Sequence, residues 1–300
     1  MSPLGSAGKI ALMYLFLLGW GTGCLYTQKP VIVDADTSNE VDDLFALARI
    51  LMDPQVEVTA LNAAHWQSSH WSVPQSMEES HRLNQQLLGE MGLEIKTFRG
   101  GMARMYDWGD RARHSAAAYE IIRQAKQRDT VVVLALGALT NIASAVYIQP
   151  DIAKKLRIFW LGTTFDFESG VLKRNDFNAL MDPYALDYLL DSEATLHIMP
   201  LNTARTMEVS FEKWKAEIGS HFLGHYLIKR WESHLDGVRQ KRVLWDLALV
   251  SAFLNPEFGR TRVVRTSRDS GGKPIVFFSQ IDPQAIAVDF WEVLKAYKGP

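Results

Sequence analysis

The chain of 300 residues has a single cysteine, Cys24, so no intramolecular disulfide can form and stability must come from a buried core. It has no block of Lys or Arg, and its formal net charge is −2. Both features argue against a nucleic-acid surface. Between residues 30 and 300 there is no Pro/Gly-rich linker and no repeat, which favours one domain over two. The apolar run Ile10–Leu18 is too short to span a bilayer. What is present is an ordinary globular balance, 47% hydrophobic and 22% charged, enough to build a large core. Most of the nine Trp residues are expected inside it.

Residues 1–24 read as a secretory signal, with Lys9, the apolar run and then Gly19, Gly21 and Gly23. Export to a periplasmic or cell-surface location is the expectation. Cys24, directly after Gly-Thr-Gly, resembles the lipidated cysteine of bacterial lipoproteins, which would attach the protein to a membrane. Gly21 stands where that motif has Leu, and a plain secreted protein with an incidental Cys24 is the alternative.

Apolar strand-like runs at Val31–Val33, Val56–Leu61, Val131–Leu136, Ile158–Leu161, Leu196–Met199 and Ile275–Phe278 alternate with helical patterns. The helices are expected at Met77–Met91, Ser115–Gln127, Thr140–Tyr147, Asp182–Leu190, Phe222–Leu235 and Asp246–Leu254. This alternation predicts an α/β fold, a single open, mostly parallel Rossmann-like sheet with helices on both faces, over residues 29–300. Asn202–Val238, poor in strand signals, is expected to be a helical insertion or lid.

The most informative stretch is VIVDADTSNEVDDLFALARIL at Val31–Leu51. An apolar strand runs into Asp34, Asp36, Asn39, Glu40, Asp42 and Asp43, and an amphipathic helix starts at once. Ligands of open α/β sheets bind at such carboxyl edges. So many carboxylates repel one another unless a cation compensates, and hard oxygen ligands suit Ca²⁺ or Mg²⁺ better than zinc. The competing reading, Asp as helix cap or dipole partner, covers Asp42 and Asp43 but not Asp34 and Asp36.

Three further places carry chemistry. Leu136-Gly137-Ala138-Leu139-Thr140-Asn141 follows the strand VVVLAL; Gly137 permits a tight turn, Thr140 can cap the next helix, and a strand-end carbonyl can face a metal. Asp176-Phe177-Asn178, followed by Asp182-Pro183, places polar groups around an aromatic, as a hydroxyl-rich ligand requires. Trp245-Asp246 heads an otherwise apolar helix, where Asp246 is either a cap or a ligand.

In this order the four motifs resemble the nucleoside hydrolase family, the inosine–uridine-preferring N-ribohydrolases, from Lys29 to the C-terminus. The resemblance implies hydrolysis of a ribonucleoside, or a related N-riboside, to free base and ribose. It implies Ca²⁺ held by Asp36, Asp43, the Leu136 carbonyl and Asp246, with Asp36 also the general base. Asp42, Asp176 and Asn178 would bind the sugar, and Asp34 would support the site from behind. Homo-oligomers occur among such relatives and are allowed here.

The chain also departs from the family pattern. The usual Pro-Gly turn becomes Thr37-Ser38-Asn39-Glu40-Val41, two residues longer, which brings Asn39 and Glu40 near the metal. His65 falls where the family has a sugar-binding Asn, so it is expected to contact the sugar. Trp245 replaces a His that helps protonate the leaving base in some members. Trp66, Trp71 and Trp245 are candidates to stack on a base, with packing the alternative for each. Two rival readings remain: an exported nucleoside- or sugar-binding protein without turnover, and a haloacid-dehalogenase-type phosphatase, to which VIVDADT bears a superficial likeness.

Overall fold

A computed structural model describes residues 28–67, 73–106, 111–266 and 272–299. The expected signal segment at residues 1–24, with Cys24, and Trp71 lie outside the described residues. The strands are β1 Lys29–Ala35, β2 Val56–Ala63, β3 Thr97–Phe98, β4 Val131–Ala135, β5 Leu156–Leu161, β6 Thr164–Phe165, β7 Leu172–Lys173, β8 Thr195–Met199, β9 Glu208–Ser210, β10 Lys241–Val243, β11 Gly259–Arg265 and β12 Pro274–Ile281. The helices are α1 Asp42–Leu51, α2 Ser76–Met91, α3 Ala116–Gln127, α4 Thr140–Ile148, α5 Phe177–Met181, α6 Pro183–Asp191, α7 Leu201–Ala204, α8 Phe211–Ile218, α9 Phe222–Glu232, α10 Trp245–Leu254 and α11 Pro283–Ala296.

Eight strands form one sheet in the order β11-β12-β8-β5-β4-β1-β2-β3. Every pairing is parallel except β11 against β12. The α/β architecture expected from the strand–helix alternation is therefore present. Alternation along β1 sends Val31 and Val33 into one apolar core and Ile32 into the other, on the opposite face. The first core contains side chains of α1, α8, α9, α10 and α11; the second contains those of α3, α4 and α6.

From β1 the chain moves outward through β2 and β3, then returns to place β4 on the other side of β1. Strand order thus reverses between β1 and β4, and the crevice at such a reversal is the preferred ligand position.

Asn202–Val238 is largely helical, as expected, and packs on the core as an insertion. Phe211, Trp214 and Ile218 form one apolar stripe of α8, and Trp214 and Trp231 pack edge-on against Phe45 of α1 at 5.4 and 6.1 Å between ring centroids. The segment covers one face of the sheet. Its short β9 pairs with β10.

Candidate active site

Asp36 is the first residue after β1, and the Leu136 N–H donates to the Asp34 carbonyl at 2.8 Å, so the ends of β1 and β4 lie side by side. Gly137 meets Asp36 there. A Cβ on Gly137 would fall 2.6 Å from Asp36 Oδ1, so only glycine lets the backbone approach that carboxylate. Asp42 and Asp43 open α1 and Asp246 opens α10, yet neither helix has a side-chain cap. The capping explanation for these three aspartates fails. Asp42 Oδ2 instead accepts the Asp246 backbone N–H at 3.1 Å, across a sequence separation of 204 residues.

These groups surround a cavity of about 210 Å³, lined by Asp36, Asn39, Glu40, Asp42, Asp43, Leu136, Leu161, Asp176, Phe177, Asn178, Leu201, Trp245 and Asp246. Asp42, Asp43 and Asp246 bring carboxylate oxygens within 4.8 Å of one another. Asp36 stands outside that trio but close enough for its charge to act on Asp43 and Asp246. Burial pushes the carboxyls of Asp36, Asp43 and Asp246 well above the usual range, and their mutual repulsion adds to it. Asp36 Oδ2, Asp43 Oδ1 and Asp246 Oδ1 are buried with no hydrogen-bond partner. Orphaned anionic oxygens converging from two helices and a strand end fit a hard dication, which satisfies charge and lone pairs together.

Behind this wall Asp34 is fully buried, and Asn141 donates from Nδ2 to Asp34 Oδ2 at 3.0 Å and to the Ala63 carbonyl at 3.1 Å. Burial holds the Asp34 carboxyl up at about 6. It does not line the cavity.

The opposite wall is built by α5. Asp176 caps this helix through the Ala179 N–H at 3.1 Å and accepts the Thr163 N–H at 2.6 Å. Thr163, a β-branched residue with φ of +67°, is held in the left-handed region that such residues avoid. Asn178 spends its Nδ2 on the Leu136 and Leu161 carbonyls, at 2.6 and 2.9 Å, which leaves Oδ1 for a ligand. The Leu136 carbonyl keeps a second lone pair beside that bond.

The long loop after Asp36 is pinned. The Asn39 N–H closes a turn on the Asp36 carbonyl at 2.7 Å, Thr37 donates to Asn84 at 2.6 Å, and Ser38 bonds Ser76 and Ser80 of α2. Glu40 is half-buried, and its carboxyl is pushed up to about 7 by burial and then by the Asp42 charge, against the pull of Arg242.

Three expected residues lie elsewhere. His65 lines a neighbouring cavity, where Thr140 Oγ1 sits 2.9 Å from its Nε2 and donates in turn to Asp182 at 2.6 Å. Burial and the Arg113 charge lower His65 to about 4. Thr140 is therefore no helix cap; Leu139 occupies that position on α4. Trp66 is buried and donates Nε1–H to Ser38 Oγ at 2.6 Å, which is packing rather than base stacking. Trp245 does line the carboxylate cavity. Leu161 and Leu201 line it too; in the sequence such apolar residues look like core, and their place at the end of β5 and just after β8 is the signal that marks them.

The α/β sheet thus carries its acidic pocket at the switch point, where ligands of such sheets bind. Residues 31–285 match the inosine-uridine preferring nucleoside hydrolase model, and the chain belongs to that family, whose members are metal-dependent. A curated protein of Arabidopsis thaliana, "Probable uridine nucleosidase 2", is 27% identical over 275 residues, covering 81% of this chain and 83% of its own. Among solved structures, a plant nucleoside hydrolase superposes with a TM-score of 0.69 at 19% identity, covering 90% of this chain and 100% of its own. The purine-preferring ribonucleoside hydrolase of Gardnerella vaginalis gives 0.65 at 19% identity, covering 90% and 99%. At these identities the two structures establish the fold. Family membership removes the phosphatase reading, which has no place for LGALTNIA at Leu136–Ala143.

Proposed function

We propose that this enzyme hydrolyses the N-glycosidic bond of ribonucleosides in a Ca²⁺-dependent reaction, giving free base and ribose. The observation that carries the reading is the set of buried carboxylates with orphaned oxygens around one cavity at the β1/β4 edge. Asp36, Asp43, Asp246 and the Leu136 carbonyl would hold the ion, with Asp42 beside them. When bound, the ion supplies positive charge that favours ionisation of water and grips a sugar diol.

Asp36 is the base that takes the proton from the attacking water. Its Oδ2 has no other partner, and Gly137 fixes the carboxylate against the strand end. Attack at the anomeric carbon passes through an oxocarbenium-like state, which nearby carboxylates stabilise. Asp42, Asp176, Asn178 through Oδ1, and Asn39 face the sugar hydroxyls. Trp245 provides an aromatic wall for the base, which favours the larger face of a purine over uridine. Family-level support for the reaction comes from the match over residues 31–285.

The test is ribose release from inosine and uridine by purified protein, with and without EDTA. Release that EDTA stops and Ca²⁺ restores is expected, with higher kcat/KM for inosine. The plant relative's name makes uridine the direct competitor, and a clear uridine preference would refute the Trp245 argument. No ribose release from either nucleoside in Ca²⁺ would overturn the reaction itself. The composition of residues 1–24 supports export, which cell fractionation checks.

A further inference from the structure

Beside the pocket lies a buried polar chain that the proposed chemistry does not use. His234 Nδ1 is 2.6 Å from Asp236 Oδ1, and the side chains of both residues are less than a tenth exposed. Arg242, its side chain only 3% exposed, grips both Asp236 oxygens, with Nη1 to Oδ2 at 3.0 Å, and its guanidinium lies 5.8 Å over the buried Trp231 ring. The other His234 nitrogen, Nε2, is 3.0 Å from the Asn39 carbonyl. A carbonyl oxygen only accepts, so Nε2 carries the hydrogen in that contact.

The target of this bond is the unusual loop of the site. Its first half, Thr37 and Ser38, is anchored on α2, and Trp66 adds a bond to Ser38. Its second half, Asn39 and Glu40, lines the cavity and receives the His234 bond. Desolvating a carboxylate, a guanidinium and an imidazole is costly, and one established return on such buried networks is a fixed register. Here the network ends on the backbone of a pocket-lining residue.

Resting on the nucleoside hydrolase reading above, we infer that His234 is a positioning residue for substrate. Seated by Asp236 and Arg242, it holds Asn39 and Glu40 against the sugar side of the pocket through the Asn39 carbonyl. The loop's added length would otherwise allow this half to move away from the sugar.

The experiment compares wild type with His234→Ala and His234→Gln, whose side-chain amide can reach as Nε2 does. His234→Ala is expected to raise KM for inosine by about tenfold while kcat stays within about twofold, the pattern of lost uniform binding. Hydrogen exchange of the amides of residues 37–41 should speed up in the same variant. His234→Gln should restore both. If His234→Ala does not fold, Asp236→Asn replaces it, with the same readouts. Unchanged KM and exchange, or equal losses in the Ala and Gln variants, would overturn the inference. If wild type releases no ribose, the function reading fails on its own. Exchange alone then decides the clamp, and an unchanged loop in His234→Ala sinks it.

Discussion

Gly137 does no chemistry, yet it sets where chemistry happens, because the Asp36 carboxylate occupies the space its side chain would take. Gly137→Ala is expected to lower kcat by at least about tenfold and to lower Tm by several degrees, since the added methyl must displace the buried Asp36 carboxylate and a displacement near 1 Å at a reacting group is costly. Asp36→Ala should abolish turnover in a protein whose circular dichroism is unchanged. His65 makes a different prediction. Unfolded, it binds a proton near pH 6.5; folded, only near 4, so protons favour the unfolded chain between those values. Stability is full above pH 6.5 and falls by roughly 3 kcal/mol as pH drops to 4, a loss that His65→Gln should remove in Tm measured against pH. The pocket aspartates were legible because carboxylates at the end of an apolar strand have few structural uses. Leu161, Leu201 and the strained Thr163 were not, because their types are those of ordinary core or turn residues. His65 was misplaced because motif position says which loop a residue occupies, not which side of it the ring takes.

Among the elements, the buried parallel strands were legible as short Val/Ile/Leu runs, and Asp182-Pro183 marked the start of α6. β11 was hidden because GRTRVVR is an exposed antiparallel edge with no apolar run, and its arginines protect an edge strand from foreign pairing. α11 carries its own signals, Asp282-Pro283 at its start and Ile286, Phe290 and Leu294 as its inner stripe, but it follows a strand so near the end of the sheet that the strand–helix alternation does not call for it. Asp282 Oδ1 accepts the Gln284 and Ala285 N–H groups at 3.1 and 3.0 Å. Asp282→Ala should therefore cost about 1 kcal/mol and lower Tm by about 2–4 °C while leaving kcat/KM for inosine unchanged.

At the scale of the whole molecule, the carboxylate pocket is a centre of stored repulsion that a bound cation relieves. Ca²⁺ at about a hundred times its Kd should stabilise the fold by about 2.7 kcal/mol, seen as a Tm rise that EDTA reverses. Asp246→Asn should shrink that rise, since it removes one charge from the trio of Asp42, Asp43 and Asp246.

The bond from the Asp246 amide to Asp42 joins positions 204 residues apart. It also sets an order of events during synthesis. The acidic stretch leaves the ribosome first, and its partner on α10 follows only after another 204 residues. Until then Asp42 and Asp43 have no pocket to close, and contacts of such long sequence separation form late and slowly. Without α10 the pocket would lack both the Asp246 carboxylate and the amide that Asp42 accepts, so one helix supplies the charge and the bond that holds its neighbour in place.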